Sequence, residues 1–242
     1  MELVFSGFRP ESFEFFTELA ENNHKVWFDQ NRARYVDFVT GSFRGLLSTL
    51  EPFLLKLDRQ FETSGKTNRN FSRINRDIRF SKDKRPYKSN YYLYVFDRRR
   101  DRTETGRLYV GLSAECVTVG FSIYAVGGRD RKSTLESIFR KRYPSNREQF
   151  SRLLEKTVRK GRYETYWHRQ EKGEWVLHPG LPRSDRDWLT LHAWIVRKVF
   201  PAGSRGISSK SFVGRIRNIF AELYPLCVFT SSSSPGWKRG LR

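Results

Sequence analysis

The amino-terminal quarter of the chain repeats its apolar residues at the spacing of amphipathic helices. Pro10 stands where a first helical turn would begin, and the apolar side chains after it recur every third residue. This pattern predicts a helix that ends near 22–23. A second helical pattern starts near His24, and Gly41 is expected to interrupt it before it continues to Leu57.

The central part of the chain changes to the two-residue alternation of β-strands. Segments 71–74 and 91–96 predict strands, because they are rich in aromatic and β-branched residues. Segments 107–112 and 117–124 have the same character, and the short polar stretch between them predicts an antiparallel hairpin. The two glycines at 127–128 are expected to end this sheet region.

Helical spacing returns in the carboxyl-terminal half. The predicted elements there are, in order, helices over about 132–142 and 145–160, an irregular stretch over 163–184 with a short hairpin around Gly173, helices over about 185–199 and 209–224, and a loose basic tail over 231–242. Helices followed by strands and then by helices predict an α+β fold. We therefore expect a single domain over residues 1–230, in which an antiparallel β-sheet is packed by the amino-terminal and carboxyl-terminal helices.

The composition predicts a folded protein. Hydrophobic residues make up 38% of the 242 residues, which is enough to form a core in a chain of this length. Cys116 and Cys227 stand 111 residues apart, and the four histidines are equally scattered. This spacing argues against a disulfide framework and a zinc site, and we predict no cofactor from these residues.

The sequence also bears on location. It contains no apolar run of the roughly 18–20 residues that span a bilayer. The first residues, MELVFSGFRPESF, lack the basic start and long apolar stretch of a signal peptide. We therefore expect a cytoplasmic protein without a membrane partner.

Positive charge is concentrated in two segments. The formal net charge is +20, of which residues 66–107 contribute +9 and residues 129–162 contribute +8. Arginine outnumbers lysine by 32 to 14, and the planar guanidinium makes two-point contacts with phosphate or carboxylate oxygens. A concentration of arginine is typical of polyanion binding, although a solvated basic face would have the same composition.

The densest charge lies in residues 73–88, which we call the basic motif. Seven of its sixteen residues are cationic and two are acidic. Like charges packed this closely repel one another, and a bound anion would relieve that repulsion. The predicted ligand-binding residues are Arg73, Arg76, Arg79, Lys82, Lys84 and Lys88. Residues 129–162 are expected to extend this positive surface.

The basic motif resembles the signature of a known family. Its pattern is Arg73-x-x-Arg76-Asp77-x-Arg79-Phe80-x-x-Asp83-Lys84-x-x-Tyr87, and the amino-terminal part adds Phe8-x-Pro10-Glu11, Leu19-Ala20-x-Asn22-Asn23 and Trp27-Phe28. Together these residues resemble the domain-of-unknown-function 2461 family, which comprises bacterial proteins with fungal relatives. The resemblance covers about residues 5–230. It implies one domain and a central role for the basic motif, but no biochemical activity.

Three functions fit these residues. The first is binding of a phosphate-rich ligand, with nucleic acid as the best candidate. The second is an enzyme for a phosphorylated or anionic substrate, in which Asp77 or Asp83 acts as general base or holds a divalent metal, with Glu115 or an amino-terminal glutamate as a third ligand. Lys84 and Tyr87 would then donate protons or stabilise charge. The third is docking of an acidic protein partner. If the motif is structural instead, both aspartates form ion pairs that orient arginines.

An aromatic strand follows the basic motif directly. Alternation along this strand puts Tyr92, Tyr94 and Phe96 on one face and Tyr91, Leu93 and Val95 on the other. One face is expected to join the core. If the other is exposed, its rings beside nearby cations would form a stacking platform for single-stranded bases, whereas burial of both faces would exclude one.

Overall fold

Helices form one layer of the protein. The structure, a computed structural model, describes residues 4–100, 105–124, 138–172 and 174–231. Its helices are α1 (Pro10–Glu21), α2 (Lys25–Gln30), α3 (Arg32–Arg34), α4 (Gly41–Leu57), α5 (Arg140–Arg142), α6 (Arg147–Leu154), α7 (Asp185–Thr190) and α8 (Phe212–Ser231). Two π-helical segments, Tyr35–Thr40 and Glu155–Arg159, continue α3 and α6. Among the described residues, no helix combines the length and the apolar character needed to cross a membrane.

A sheet forms the second layer. Its strands are β1 (Asn90–Val95), β2 (Arg107–Ser113), β3 (Cys116–Tyr124), β4 (Glu164–Glu171), β5 (Glu174–Pro179) and β6 (Ala193–Pro201). They lie in the order β1-β2-β3-β6-β4-β5, and every neighbouring pair is antiparallel. The predicted α+β fold with an antiparallel sheet is confirmed.

The core lies between the helices and one face of this sheet. Pro10 begins α1, where its missing N–H leaves no helical hydrogen bond unmade, and Phe16 and Leu19 of that helix are fully buried. Helix α8 packs along β2 and β3, and α4 packs on α8. Buried apolar side chains from Phe5 to Phe229 form one continuous cluster. The helices from both ends of the chain therefore share one core.

The largest correction concerns 185–199, which the sequence predicts as a helix. Helix α7 ends at Thr190, and the chain then forms β6, which pairs with β3 on one side and β4 on the other. Trp194, Ile195 and Val196 are buried between these neighbours. Because aromatic and β-branched residues favour strands and both edges of this segment find partners, pairing overrides the helical spacing.

The structure also corrects three other predictions. The predicted strand 71–74 is wrong, since Phe71 alone of these four residues makes isolated bridges. Gly41 does not interrupt the second helical pattern, because it has helical dihedral angles and begins α4. The stretch 163–184, expected to be mostly irregular, forms the long β4–β5 hairpin.

Some predicted features lie outside the described residues. They are the glycines at 127–128, residues 132–137 of the first helix predicted for the carboxyl-terminal half, Gly173, around which the sequence predicts a short hairpin, and residues 232–242 of the tail.

Candidate anion-binding face

Strand β1 has two different faces. Its odd-numbered residues are buried in the main core against the helices. Tyr92 and Tyr94 point to the opposite side, where they are half-buried and pack on a separate small cluster that contains Tyr109. Alternation predicts Phe96 on the same face, but Phe96 lies beyond the strand and is fully buried.

The face that carries Tyr92 and Tyr94 lines a cavity of about 330 Å³, which we call the tyrosine cavity. All of its lining residues lie in the strands or in the turns next to them. Five tyrosines surround it, namely Tyr92, Tyr94, Tyr109, Tyr124 and Tyr166. Two arginines, Arg107 and Arg197, also line it. The cavity is therefore both aromatic and cationic.

The register of the sheet brings these side chains together. One row of directly opposed residues runs across four strands from Tyr94 through Tyr109 and Gly120 to Arg197. Glycine is required in this row, because a Cβ at Gly120 would lie 2.1 Å from the carbonyl oxygen of Val196. The close approach of β3 and β6 at this point depends on the missing side chain.

Arg107 lies among aromatic rings. Its guanidinium carbon is 4.3 Å from the ring centroid of Tyr94 and 5.2 Å from that of Tyr124. Its Nε donates a hydrogen bond of 3.3 Å to Ser122 Oγ, and the residue is 8% exposed. Cation–π attraction grows when water is excluded, so these rings stabilise a positive charge in the wall of the cavity.

Arg197 occupies the other side of the tyrosine cavity. Its guanidinium carbon is 5.0 Å from the ring centroid of Tyr166, and its Nη1 donates a hydrogen bond of 3.4 Å to Tyr166 Oη. Its Nε lies 3.3 Å from Glu164 Oε2, and the glutamate side chain is 61% exposed. Because ion pairs with such exposed partners are weak, an anionic ligand can compete with Glu164 for this guanidinium.

Four of the five tyrosines have a raised pKa and keep their protons at neutral pH. Burial is the main cause that raises the pKa of Tyr92, Tyr109 and Tyr166, and it raises the pKa of Tyr124 to about 12. A neutral phenol can donate one hydrogen bond to a phosphate oxygen or to an acceptor on a base. The cavity thus offers hydroxyl donors in addition to its two cations.

The basic motif is a loop whose two ends pair with each other. Asn75 and Tyr87 form an antiparallel bridge, and the Arg76 N–H donates a hydrogen bond of 2.8 Å to the Pro86 carbonyl. The Tyr87 ring is buried and stacks on Phe28 with 4.1 Å between centroids. Tyr87, a candidate proton donor from the sequence, therefore packs in the core.

Each aspartate of the basic motif is bound by arginine. Asp83 accepts hydrogen bonds from Arg85 at 2.8 Å and from Arg76 at 2.7 Å, and these bonds hold the pKa of Asp83 well below its usual range. Asp77 accepts a bond of 2.7 Å from Arg79, which lowers the pKa of Asp77 to about 2. The two carboxylates thus hold different guanidinium groups in place.

The predicted cations of the motif do not all converge. Arg76 and Lys88 line a cavity of about 280 Å³, which we call the motif cavity. The other four predicted ligand-binding residues, Arg73, Arg79, Lys82 and Lys84, lie outside its lining, and all four are exposed. Lys84 Nζ donates a hydrogen bond of 3.1 Å to the Ile78 carbonyl.

Three cavities form a series across the sheet, with the tyrosine cavity in the middle. Ser89 and Asn90 line both the motif cavity and the tyrosine cavity. Tyr166 and Arg197 line both the tyrosine cavity and a more open one of about 740 Å³, which also contacts Leu177 of β5. We call the three together the sheet groove. It connects the basic motif to the β4–β5 hairpin.

The described part of the second basic segment lies away from the sheet groove. Its described residues, 138–162, line none of the three cavities. Arg142 Nη1 donates a hydrogen bond of 3.1 Å to the carbonyl oxygen of Val228 in α8, and Arg159 pairs with Glu155 one turn away. These arginines support the helical layer. Residues 129–137 lie outside the described part of the chain.

The candidate metal ligands are not gathered into a cluster. In the described residues, no three His, Cys, Asp or Glu side chains come close enough to hold a metal ion together. Glu115 accepts a hydrogen bond of 2.6 Å from Ser113 Oγ and lines the tyrosine cavity, whereas Asp77 and Asp83 are occupied by arginines.

Several residues of the sheet groove were not singled out from the sequence. Arg107 and Arg197 are 90 positions apart, and the second lies in a segment predicted as helix. Alternation along the hairpin strands would have placed Arg107, Tyr109 and Tyr124 on one face. The assignment of Arg197 and Tyr166 to that face required the pairing of β6 with β3 and β4.

The fold and this site define an α+β protein with an aromatic, cationic sheet face. The chain belongs to a family of conserved hypothetical proteins, the domain-of-unknown-function 2461 family, whose model matches residues 11–229. The match confirms the resemblance seen in the basic motif and the amino-terminal residues. No curated protein matches the chain.

Proposed function

We propose that this protein binds single-stranded nucleic acid along the sheet groove. The proposal rests on the tyrosine cavity, where five tyrosines surround two arginines on one face of a sheet. Sheet faces with aromatic side chains recognise single strands in several unrelated modules, because every base has a π face that stacks on a ring.

The geometry of the rings supports stacking. Tyr92 and Tyr94 lie nearly parallel, with an interplanar angle of 17° and 5.6 Å between centroids. Both are half-buried, so each has a fixed orientation and retains some accessible surface. Stacking of a base on either ring would cost little side-chain entropy of the tyrosine, because the sheet already holds the ring in place.

The charges support a phosphate backbone. Arg107 and Arg197 stand in the tyrosine cavity, and Arg76, Arg85 and Lys88 stand in the adjoining motif cavity. The cations are therefore distributed along the groove and are not clustered in one place. This distribution suits a ligand that carries one negative charge per nucleotide. A small anionic substrate would need only one of these cavities.

The test is a titration of labelled single-stranded RNA and DNA followed by fluorescence anisotropy. We expect binding at low salt that weakens as salt rises, because the bound strand releases counterions. Tyr94→Ala should weaken binding about fivefold or more, by the loss of one stacked base. Arg197→Gln should reduce the slope of log K against log salt by about 0.7.

A matched control separates the site from the net charge. Arg9→Gln removes the same charge from the start of α1, where Arg9 lies over the Phe38 ring. Arg9→Gln should leave the affinity for single-stranded RNA and DNA nearly unchanged. If wild-type protein binds neither RNA nor DNA at low salt, or if Arg9→Gln weakens binding as much as Arg197→Gln, the sheet groove is not a nucleic-acid site.

A further inference from the structure

The basic motif presents a large apolar side chain to solvent. Phe80 is 95% exposed, more than any other large hydrophobic residue in the described part of the chain. It lies in the loop 76–85, which carries a net charge of +3. Burial of a phenylalanine ring stabilises a fold, and the exposed Phe80 ring contributes almost none of that stabilisation.

Hydrogen bonds among its own residues shape the loop that carries Phe80. Asp77 accepts hydrogen bonds from both the backbone N–H and the guanidinium of Arg79. Asp83 does the same for Arg85. Each aspartate therefore closes a tight turn and accepts hydrogen bonds from one arginine side chain, and the Arg76–Asp83 ion pair of 2.7 Å connects the two arms of the loop.

Cationic side chains lie around the Phe80 ring, and one of them is a planar guanidinium. The Arg79 guanidinium carbon lies 5.8 Å from the Phe80 ring centroid. Lys82, Lys84 and Arg85 are exposed in the same loop. An aromatic ring beside a guanidinium offers a base a stacking partner and offers the adjoining phosphate a cation.

The loop is also continuous with the sheet groove. Arg76, Asp83 and Arg85 belong to the loop and line the motif cavity, and that cavity adjoins the tyrosine cavity at Ser89 and Asn90. A strand that lies in the groove and leaves it through the motif cavity would pass the loop next. This continuity favours nucleic acid over a lipid surface as the partner of the ring.

We propose that Phe80 stacks on a base of the same single strand that occupies the sheet groove, with Arg79 contacting the neighbouring phosphate. The inference rests on the proposed function and adds a second stacking position to it. Its consequence is a dependence on length, since a short strand can fill the tyrosine cavity without reaching the loop.

The experiment compares two single-stranded oligonucleotides, one of about 4 and one of about 16 nucleotides, the range covered by one binding module. Phe80→Ala should weaken binding of the long strand about fivefold or more and leave the short one unchanged. Phe80→Trp should retain the long-strand affinity. Phe80→Leu, which keeps an apolar side chain but removes the π face, should behave like Phe80→Ala. Val36→Ala truncates another exposed apolar side chain, in the helical layer, and should not change the affinity for either oligonucleotide.

The outcomes separate the inference from the function on which it rests. If neither oligonucleotide binds, both fail. If both bind and Phe80→Ala changes neither affinity, or if Phe80→Leu binds the long strand like wild type, the stacking role of Phe80 is wrong while the groove stands. Sedimentation with phosphatidylserine vesicles tests the lipid surface. Vesicle binding that Phe80→Ala abolishes, together with unchanged oligonucleotide binding, would overturn the inference.

Discussion

Asn23 and Tyr87 exchange two hydrogen bonds between segments that are 64 residues apart. Asn23 Nδ2 donates to the Tyr87 carbonyl, and the Tyr87 N–H donates to Asn23 Oδ1, both at 3.0 Å. The amide side chain thus acts as a short strand partner for the basic motif. It connects the turn between α1 and α2 to the loop that precedes β1.

Asn23→Ala should lower the free energy of unfolding by about 1–3 kcal/mol, because it leaves both backbone groups of Tyr87 without these partners. Urea denaturation measures the change. Asn22→Ala is the matched control, since Asn22 donates one bond to the Glu18 carbonyl at the end of the same helix. Equal losses for the two variants would show that the link to Tyr87 is not special.

Gly120→Ala should destabilise the protein by about 1–3 kcal/mol. The added Cβ would meet the backbone of Val196 at 2.1 Å, and a backbone atom in a paired strand cannot move aside as a flexible side chain can. Gly214→Ala, in α8, should instead stabilise by about 0.5–1 kcal/mol, because no atom lies within 4 Å of the added methyl group. Thermal unfolding of both variants decides the point, and a tolerated Gly120→Ala contradicts the close β3–β6 pairing.

Glu62 should make stability depend on pH in the acid range. Burial alone would raise the pKa of Glu62, but hydrogen bonds from Ser64 and Arg69 outweigh it, and the pKa of Glu62 is lowered. A carboxylate with a lowered pKa in the folded state stabilises the fold above its unfolded pKa of about 4.3. That contribution is lost as pH falls from this value through the lower folded pKa.

Glu62→Gln should therefore flatten the fall in stability below about pH 4.3, and urea midpoints measured across that range provide the check. Glu148→Gln serves as the control, because the Glu148 side chain is 85% exposed. A pH profile that Glu62→Gln leaves unaltered would contradict a stabilising charge at this position.

The two cysteines should differ in reactivity. Burial raises the pKa of the Cys227 thiol, and the side chain is closed off in α8, whereas Cys116 is half-buried and lines the tyrosine cavity. Iodoacetamide should alkylate Cys116 and spare Cys227 in the folded protein, as mass spectrometry of peptides can determine. A bound oligonucleotide should slow the alkylation of Cys116. Modification at an undiminished rate under saturating oligonucleotide would place the strand outside the cavity.

The sequence by itself determined the parts of this protein that depend on local pattern. Helical spacing with Pro10 at the first turn predicts α1, and alternation predicts β1 and the β2–β3 hairpin, because neighbours in these elements are close along the chain. The sequence also located the basic motif and its family resemblance. It also indicates, as one alternative, that Asp77 and Asp83 orient arginines through ion pairs. The structure has such ion pairs at both aspartates.

Only the tertiary structure decided which residues from distant strands line the candidate site together. The sequence predicts a helix over 185–199, but Ala193–Pro201 form a strand because β3 and β4 offer partners on both edges. That pairing places Arg197 across from Gly120 and brings it into the same cavity as Arg107. The physical reason is that register between distant strands follows from the packing of the whole sheet on its core, which no local periodicity encodes.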